Sequence, residues 1–266
     1  MANKALITGA SSGIGATYAD RLAGRGYDLI LVARDAKRLE AAAAELEARH
    51  GVSVETLPAD LGDGEALARV ETALRTDPAI SLLVNNAGIA GPTAFVGADP
   101  ALVESLLRLN VVALTRLAGA AADAFAGRGK GIIVNIGSVT SLAPERFEPT
   151  YAASKAFVLT FSQGLAAELA PRGVTVQAVL PGITRTEIWE RSGRDLGAVP
   201  ADKVMEVGDM VDAALAGLDS GEGVTIPSLP SLSDWQAFES ARGALGPNLS
   251  GRSPAARYLE AGLVPA

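Results

Sequence analysis

Short runs rich in Val, Ile and Leu alternate with longer, Ala-rich stretches of helical period through most of this 266-residue chain. No other feature constrains the fold as much. A strand, a helix and a further strand in that order close most readily as a right-handed crossover onto a parallel sheet. The pattern predicts strands at 3–8, 28–33, 52–57, 80–84, 131–137, 174–180 and 223–226. Helices are predicted at 13–25, 36–49, 64–76, 99–126, 150–171 and 207–219, the fourth broken near Asn110. Runs such as Leu29-Ile30-Leu31-Val32 are apolar throughout, as expected of strands covered by helices on both faces. The fold class is therefore α/β, a doubly wound sheet of about seven mainly parallel strands in a single domain over 1–266.

Two segments interrupt the rhythm. Residues 184–206, after the sixth strand, are broken by Gly193, Gly197 and Pro200 and carry an exposed-looking Ile188-Trp189 pair. A long connection leaving the carboxyl end of a parallel strand is the expected place for a substrate lid. Residues 227–266 are punctuated by five prolines and leave room for one helix. Ser233 and Gln236 read as its capping box, with Trp235 and Phe238 inside it.

The first strand runs into Thr8-Gly9-Ala10-Ser11-Ser12-Gly13-Ile14-Gly15 and a helix follows at once. Such glycines let the backbone approach a pyrophosphate, while the helix N-terminus offers N–H groups and a favourable dipole. Gly9 to Gly13 also spell G-x-S-x-G, a hydrolase nucleophile elbow centred on Ser11. The histidine count opposes that reading: His50 is the sole histidine, and none follows it in the chain. At the end of the second strand stand Ala33, Arg34 and Asp35. Asp35 reads as a helix N-cap, and Arg34 as a clamp for a 2′-phosphate, which favours NADP as cofactor over NAD.

The chain has no cysteine. That excludes disulfides, thiol nucleophiles and Cys-ligated metals, and one imidazole cannot build a two-histidine site. No metal site is expected, so acid–base chemistry falls to Ser, Tyr, Lys, Asn or carboxylates. Tyr151-Ala152-Ala153-Ser154-Lys155 supplies such a pair, four residues apart on one helix face. A lysine cation about 4 Å from a phenol, at an effective dielectric near 20, favours the phenolate by roughly 4 kcal/mol, or about 3 pKa units. From an ordinary value near 10, the tyrosine would move to about 7, where a general acid/base works best.

These residues resemble the short-chain dehydrogenase/reductase family over about residues 3–227. The motifs that carry the resemblance follow in order: Thr8 to Gly15, Asp60-Leu61, Asn85-Asn86-Ala87-Gly88, Asn110, Ser138, Tyr151-x-x-x-Lys155, and Pro181-Gly182 with Thr186. No catalytic position departs from the family pattern. The resemblance implies a Rossmann-like fold and hydride transfer between NADP(H) and a carbonyl or secondary alcohol. Tyr151 is then the proton donor or acceptor, and Lys155 lowers its pKa and holds the nicotinamide ribose. Ser138 bonds the substrate oxygen, and Asn110 breaks its helix and positions a water leading to Lys155. Thr8, Gly9, Ser11, Ser12, Gly13, Ile14, Gly15 and Arg34 would hold the adenosine phosphates, and Asp60 and Leu61 the adenine. Asn86, Ala87 and Gly88 would line the cofactor, with Pro181, Gly182, Ile183, Thr184 and Thr186 at the nicotinamide end. A regulator that binds dinucleotide without turnover, or an epimerase or dehydratase on the same scaffold, is the alternative.

The expected partner is a small carbonyl or alcohol substrate. A net charge of −7 opposes binding to nucleic acid or an acidic membrane surface, and no apolar run is long enough to span a bilayer. The absence of a signal-like N-terminus and of cysteine makes the cytoplasm the expected location. The family resemblance implies a homotetramer or homodimer, with the apolar helices at 99–126 and 150–171 available as an interface or as core.

Overall fold

The computed structural model describes residues 3–193 and 195–260. The strands are β1 (Lys4–Thr8), β2 (Asp28–Ala33), β3 (Val54–Pro58), β4 (Ile80–Asn85), β5 (Gly131–Ile136), β6 (Val174–Val179) and β7 (Val224–Thr225). Between and after them lie α1 (Gly13–Gly24), α2 (Ala36–His50), α3 (Gly64–Thr76), α4 (Pro100–Leu107), α5 (Leu114–Arg128), α6 (Pro149–Leu169), α7 (Ile188–Arg191), α8 (Val207–Asp219), α9 (Leu232–Gly243) and α10 (Ala256–Glu260). The chain forms two compact units, one ending at Pro227 and one beginning at Ser228.

The first unit holds the whole sheet. Its order is β3-β2-β1-β4-β5-β6-β7, and every pairing is parallel. Side chains alternate between two cores. Leu6, Ile30, Val32 and Leu83 pack with Leu67, Val70, Leu117 and Phe125 on one face. Ala5, Ile7, Leu29, Leu31 and Val84 pack with Tyr18, Leu22, Leu39 and Met210 on the other. This period of two across strands buried on both sides explains the unbroken apolar runs. The winding direction reverses between β1 and β4, where a doubly wound sheet opens a crevice at the strands' carboxyl ends.

Short polar side chains start the helices around this sheet. Asp35 accepts from the Arg38 N–H on α2, Asp63 from Glu65 and Ala66 on α3, and Asp99 from Ala101 on α4. The predicted helix 99–126 is three pieces, because residues Arg108–Ala113 form a π-helical segment between α4 and α5. The extra residue in that turn carries Asn110 into the interior, where it is buried. Helix α6 ends at Leu169 because Pro171 cannot continue the ladder. The third strand begins at Val54, two residues later than predicted, since the Ser53 N–H is already taken by the Asp28 carboxylate.

In the second unit α9 is capped by Ser231, whose hydroxyl accepts from the Ser233 N–H at 3.3 Å. The predicted Ser233–Gln236 box is thus two residues too late. Trp235 and Phe238 stack with centroids 5.3 Å apart, no residue of α9 is buried, and α10 is a second helix that the prolines did not lead one to expect.

One buried polar chain crosses the sheet. Asn85 on β4 donates to Asn135 on β5 at 3.0 Å, Asn135 donates to Ser162 on α6 at 3.0 Å, and Ser162 donates to the Val158 carbonyl at 2.7 Å. Removing the hydroxyl strands a buried amide donor. Ser162→Ala is therefore expected to lower unfolding stability by about 1–3 kcal/mol, measured by urea denaturation; an unchanged midpoint would show that the chain bears no load.

Candidate active site

The crevice at the reversal point is built by a clasp between β1 and the segment after β4. Thr8 Oγ1 accepts from the Asn86 and Ala87 N–H groups at 2.9 and 3.0 Å and donates to the Val84 carbonyl at 3.3 Å. Asn86 Nδ2 returns to the Thr8 carbonyl at 2.9 Å. Gly9 and Gly15 make this approach possible. A Cβ on Gly9 would lie 2.7 Å from Asn86 Nδ2, one on Gly15 would collide with the Gly9 carbonyl, and Gly9 has φ +66°. Two expected cofactor ligands, Thr8 and Asn86, are thus occupied with each other and shape the cradle through the backbone.

The donor set fits a dinucleotide. Ser12, at the N-cap of α1, makes no side-chain cap hydrogen bond, whereas α2, α3, α4 and α6 are all capped by side chains. The N-terminus of α1 follows the glycine turn directly, and a helix N-terminus offers N–H groups and a favourable dipole for phosphate. Ser11, Ser12, Gly13 and Ile14 sit there half-buried, and Gly13 is roofed by Thr186, whose methyl carbon is 3.2 Å from where a Cβ would stand. Arg34, just past β2, is exposed and forms no ion pair with any described residue. Asp60 is exposed and accepts from the Gly62 N–H at 2.9 Å, while Leu61 is buried in the core.

Ser138, Tyr151 and Lys155 are supplied by β5 and α6. Ser138 follows β5 in extended backbone, and its hydroxyl accepts from the Thr140 N–H at 3.2 Å. Lys155 is buried, donates to the Ile136 carbonyl at 3.0 Å, and lies 5.7 Å from the Tyr151 ring centroid. The pair shares one face, as its spacing predicts, and one bond ties it to the strand that carries Ser138. Burial pushes the Lys155 amine down from 10.5 to about 8.

Asn110 interrupts its helix as expected, on the π-helical turn. Its amide is paired both ways with one residue, Oδ1 accepting from the Ile89 N–H and Nδ2 donating to the Ile89 carbonyl, each at 2.9 Å. It holds the loop after Gly88 and reaches Ser154 at 3.5 Å, inside the Tyr-x-x-x-Lys span. Pro181 and Gly182 lead into Ile183 and Thr184, which are stapled to the far end of the lid: the Met205 N–H donates to the Ile183 carbonyl at 2.9 Å, and Arg185 N–H to the Met205 carbonyl at 3.0 Å. Ile188 and Trp189 are half-buried rather than exposed, and the Trp189 indole donates to the Thr184 carbonyl at 2.9 Å.

Two further residues escape the motifs. Glu148 caps α6 with both carboxylate oxygens, accepting from Thr150 at 2.9 Å and Tyr151 at 2.8 Å. Gly91 is buried, and a Cβ there would come within 3.0 Å of Tyr151 Cβ. The rival elbow fails on topology. Ser11 follows the carboxyl end of β1, whereas His50 precedes the amino end of β3, at the other end of the parallel strands, and is bonded to Asp20 at 2.9 Å. Among the described residues no cluster of His, Cys, Asp or Glu is arranged to hold a metal.

A seven-stranded parallel sheet with a glycine turn at its reversal point, and with a serine, a tyrosine and a buried lysine after β5 and on α6, defines a doubly wound α/β protein of the Rossmann-like class. A family model described as short chain dehydrogenase matches residues 3–197, and the chain belongs to that family. A short-chain dehydrogenase from Sphingobium yanoikuyae, solved with NADPH, is 53% identical at TM-score 0.94, covering 96% of this chain and 99% of its own. A bulky-bulky ketone specific alcohol dehydrogenase from Comamonas testosteroni is 47% identical at TM-score 0.89, covering 97% and 98%. The very-long-chain 3-oxoacyl-CoA reductase of Podospora anserina is 33% identical over 82% of this chain. This chain spans 64% of that relative's length and 60% of the Danio rerio one.

The lowered Lys155 value has a signed consequence for stability. Below about 8 the folded and unfolded amines are both charged, and the burial cost is fully present. Between about 8 and 10.5 the folded amine is neutral while the unfolded one still binds a proton, so stability rises with pH. Lys155→Met is expected to be more stable than the parent by on the order of 3 kcal/mol at neutral pH, with the difference shrinking over that window. Denaturant titrations at several pH values check this; a pH-independent difference would contradict it.

Proposed function

We propose that this protein is an NADPH-dependent carbonyl reductase and secondary-alcohol dehydrogenase whose substrates carry large apolar groups on both sides of the carbonyl. The observation that carries the reading is the single bond from Lys155 to Ile136, which sets Tyr151 and Lys155 of α6 against the end of β5 where Ser138 stands. The bound nicotinamide supplies or accepts the hydride at the carbonyl carbon. In reduction, Ser138 donates a hydrogen bond to the carbonyl oxygen as charge develops there, and Tyr151 transfers its phenolic proton to the same oxygen. Lys155 favours the phenolate that remains and offers its ammonium to the nicotinamide ribose hydroxyls. Asn110 holds the loop beneath, with a water at Lys155 returning the proton from solvent. Oxidation of the alcohol runs the same steps backwards.

Arg34, exposed beside the end of β2, supports NADP, as does the NADPH held by the Sphingobium relative. The substrate class rests on the loops that surround Tyr151. Phe95 and Val96 after β4, and Leu142 and Phe147 after β5, are large apolar side chains left exposed. Ile188 and Trp189 add two half-buried apolar side chains after β6. Apolar side chains on three loops that follow the carboxyl ends of β4, β5 and β6 suit a bulky hydrophobic ligand, and the Comamonas relative is named for such ketones. The catalytic body is the unit ending at Pro227. A cytoplasmic homo-oligomer is the proposed setting. The cysteine-free composition supports the first part, and exposed Val112 and Phe157 on the α5 and α6 side support the second.

Tyr151→Phe is expected to keep NADPH affinity and lose turnover by about 10²- to 10⁴-fold; ketone-dependent NADPH consumption beside a fluorescence titration of the cofactor checks both, and undiminished turnover would remove Tyr151 from its role. Arg34→Glu should shift the preference from NADPH toward NADH, and an unchanged ratio would remove Arg34 from the phosphate site.

A further inference from the structure

The lid reaches α2 through one ion pair. Glu187, the residue before α7, accepts a hydrogen bond from Arg38 Nη1 at 2.9 Å, with both side chains half-exposed. Arg38 belongs to the first turn of α2. It stands four residues after Arg34, its N–H is held by the Asp35 cap, and its Nε is 3.8 Å from the other Asp35 oxygen. The neighbouring lid residue, Thr186, lies on Gly13 at the start of α1. Two consecutive lid residues therefore touch the two helix N-termini that flank the cofactor crevice.

Arg34 and Arg38 stand at this corner with the carboxylates of Asp35 and Glu187. A phosphate monoester brings close to two negative charges, and an arginine fork is the side chain best shaped to receive it. Asp35 is fixed in place by its cap. Arg38 is the nearest second guanidinium to Arg34 along α2, and what occupies it is the Glu187 carboxylate on the segment after β6. We propose that Arg38 is a second cation for the 2′-phosphate and that Glu187 is a specificity-determining carboxylate that competes with the phosphate for it. This rests on the NADP reading above. A cofactor lacking the 2′-phosphate leaves the Arg38–Glu187 pair in place, whereas the phosphate draws Arg38 away and releases the lid from α2, so discrimination between the two dinucleotides is coupled to where the lid begins.

Fluorescence titrations of NADPH and NADH against the whole protein test this, with NADH binding reporting that each variant is folded. Glu187→Gln is expected to lower the NADPH dissociation constant about three- to tenfold, and Arg38→Gln to raise it about tenfold, each leaving NADH within about twofold. In the Arg38→Gln background the gain from Glu187→Gln should shrink, because the guanidinium they compete for is gone. A parent that prefers NADPH, with a ratio insensitive to either substitution, would overturn this inference alone, as would equal effects on both cofactors. A parent that binds NADPH no better than NADH would overturn the NADP reading and this inference with it.

Discussion

The clasp of Thr8 on Asn86 and Ala87 is the contact on which the rest depends. It draws the carboxyl ends of β1 and β4 together at the point where the sheet reverses, and it works because Gly9 and Gly15 present backbone where any side chain would collide with Asn86 or with the turn itself. Once those ends are fixed, the N-terminus of α1 follows the glycine turn directly, with its first-turn N–H groups unclaimed by a side-chain cap. The phosphate cradle is thus a property of backbone geometry, and its hydroxyl and amide side chains serve mainly to hold that geometry.

The proton-transfer half is assembled separately, by fixing α6 on β5. Lys155 binds the Ile136 carbonyl, Ser162 binds Asn135 two turns further along the same face, and Glu148 closes the first turn at Tyr151. These bonds set the axial position of the helix that carries Tyr151 and Lys155 against β5, the strand that Ser138 follows. Gly91 allows the loop after β4 to lie against the base of the tyrosine. Asn110, on its π-helical turn, links that loop to α6 through Ile89 and Ser154. The same β4 therefore feeds both halves, Asn85 into the buried polar chain and Asn86 into the clasp.

Much of this was legible in the residues because local rules suffice for it. Short apolar runs alternating with helix-period stretches marked the strands, and Asp35 was identifiable as a cap because a short carboxylate stood just before a helical pattern. Tyr151 and Lys155 could be paired from spacing alone, since four residues return to the same helix face. What stayed hidden depends on partners far away in the chain. Arg38 and Glu187 belong to no motif, and nothing local announces a pair 149 residues apart in the chain. Asn135 and Ser162 look like small polar interruptions until the fold stacks them. The cap of α9 was misplaced because Ser231 and Ser233 offer the same chemistry two residues apart, and Glu148 was missed because glutamate is an uncommon cap.

In the proposed reaction the crevice and the Ser138–Tyr151–Lys155 cluster meet on one substrate, with the hydride coming from the cofactor and the proton from the tyrosine. Isotope transfer addresses it most directly: an aryl ketone with a second bulky substituent, reduced by the protein with NADPH deuterated at the transferable position. The account predicts a single enantiomer of the alcohol carrying the deuterium on the carbinol carbon. An alcohol without the label, or cofactor binding with no reduction of any bulky ketone, would contradict it.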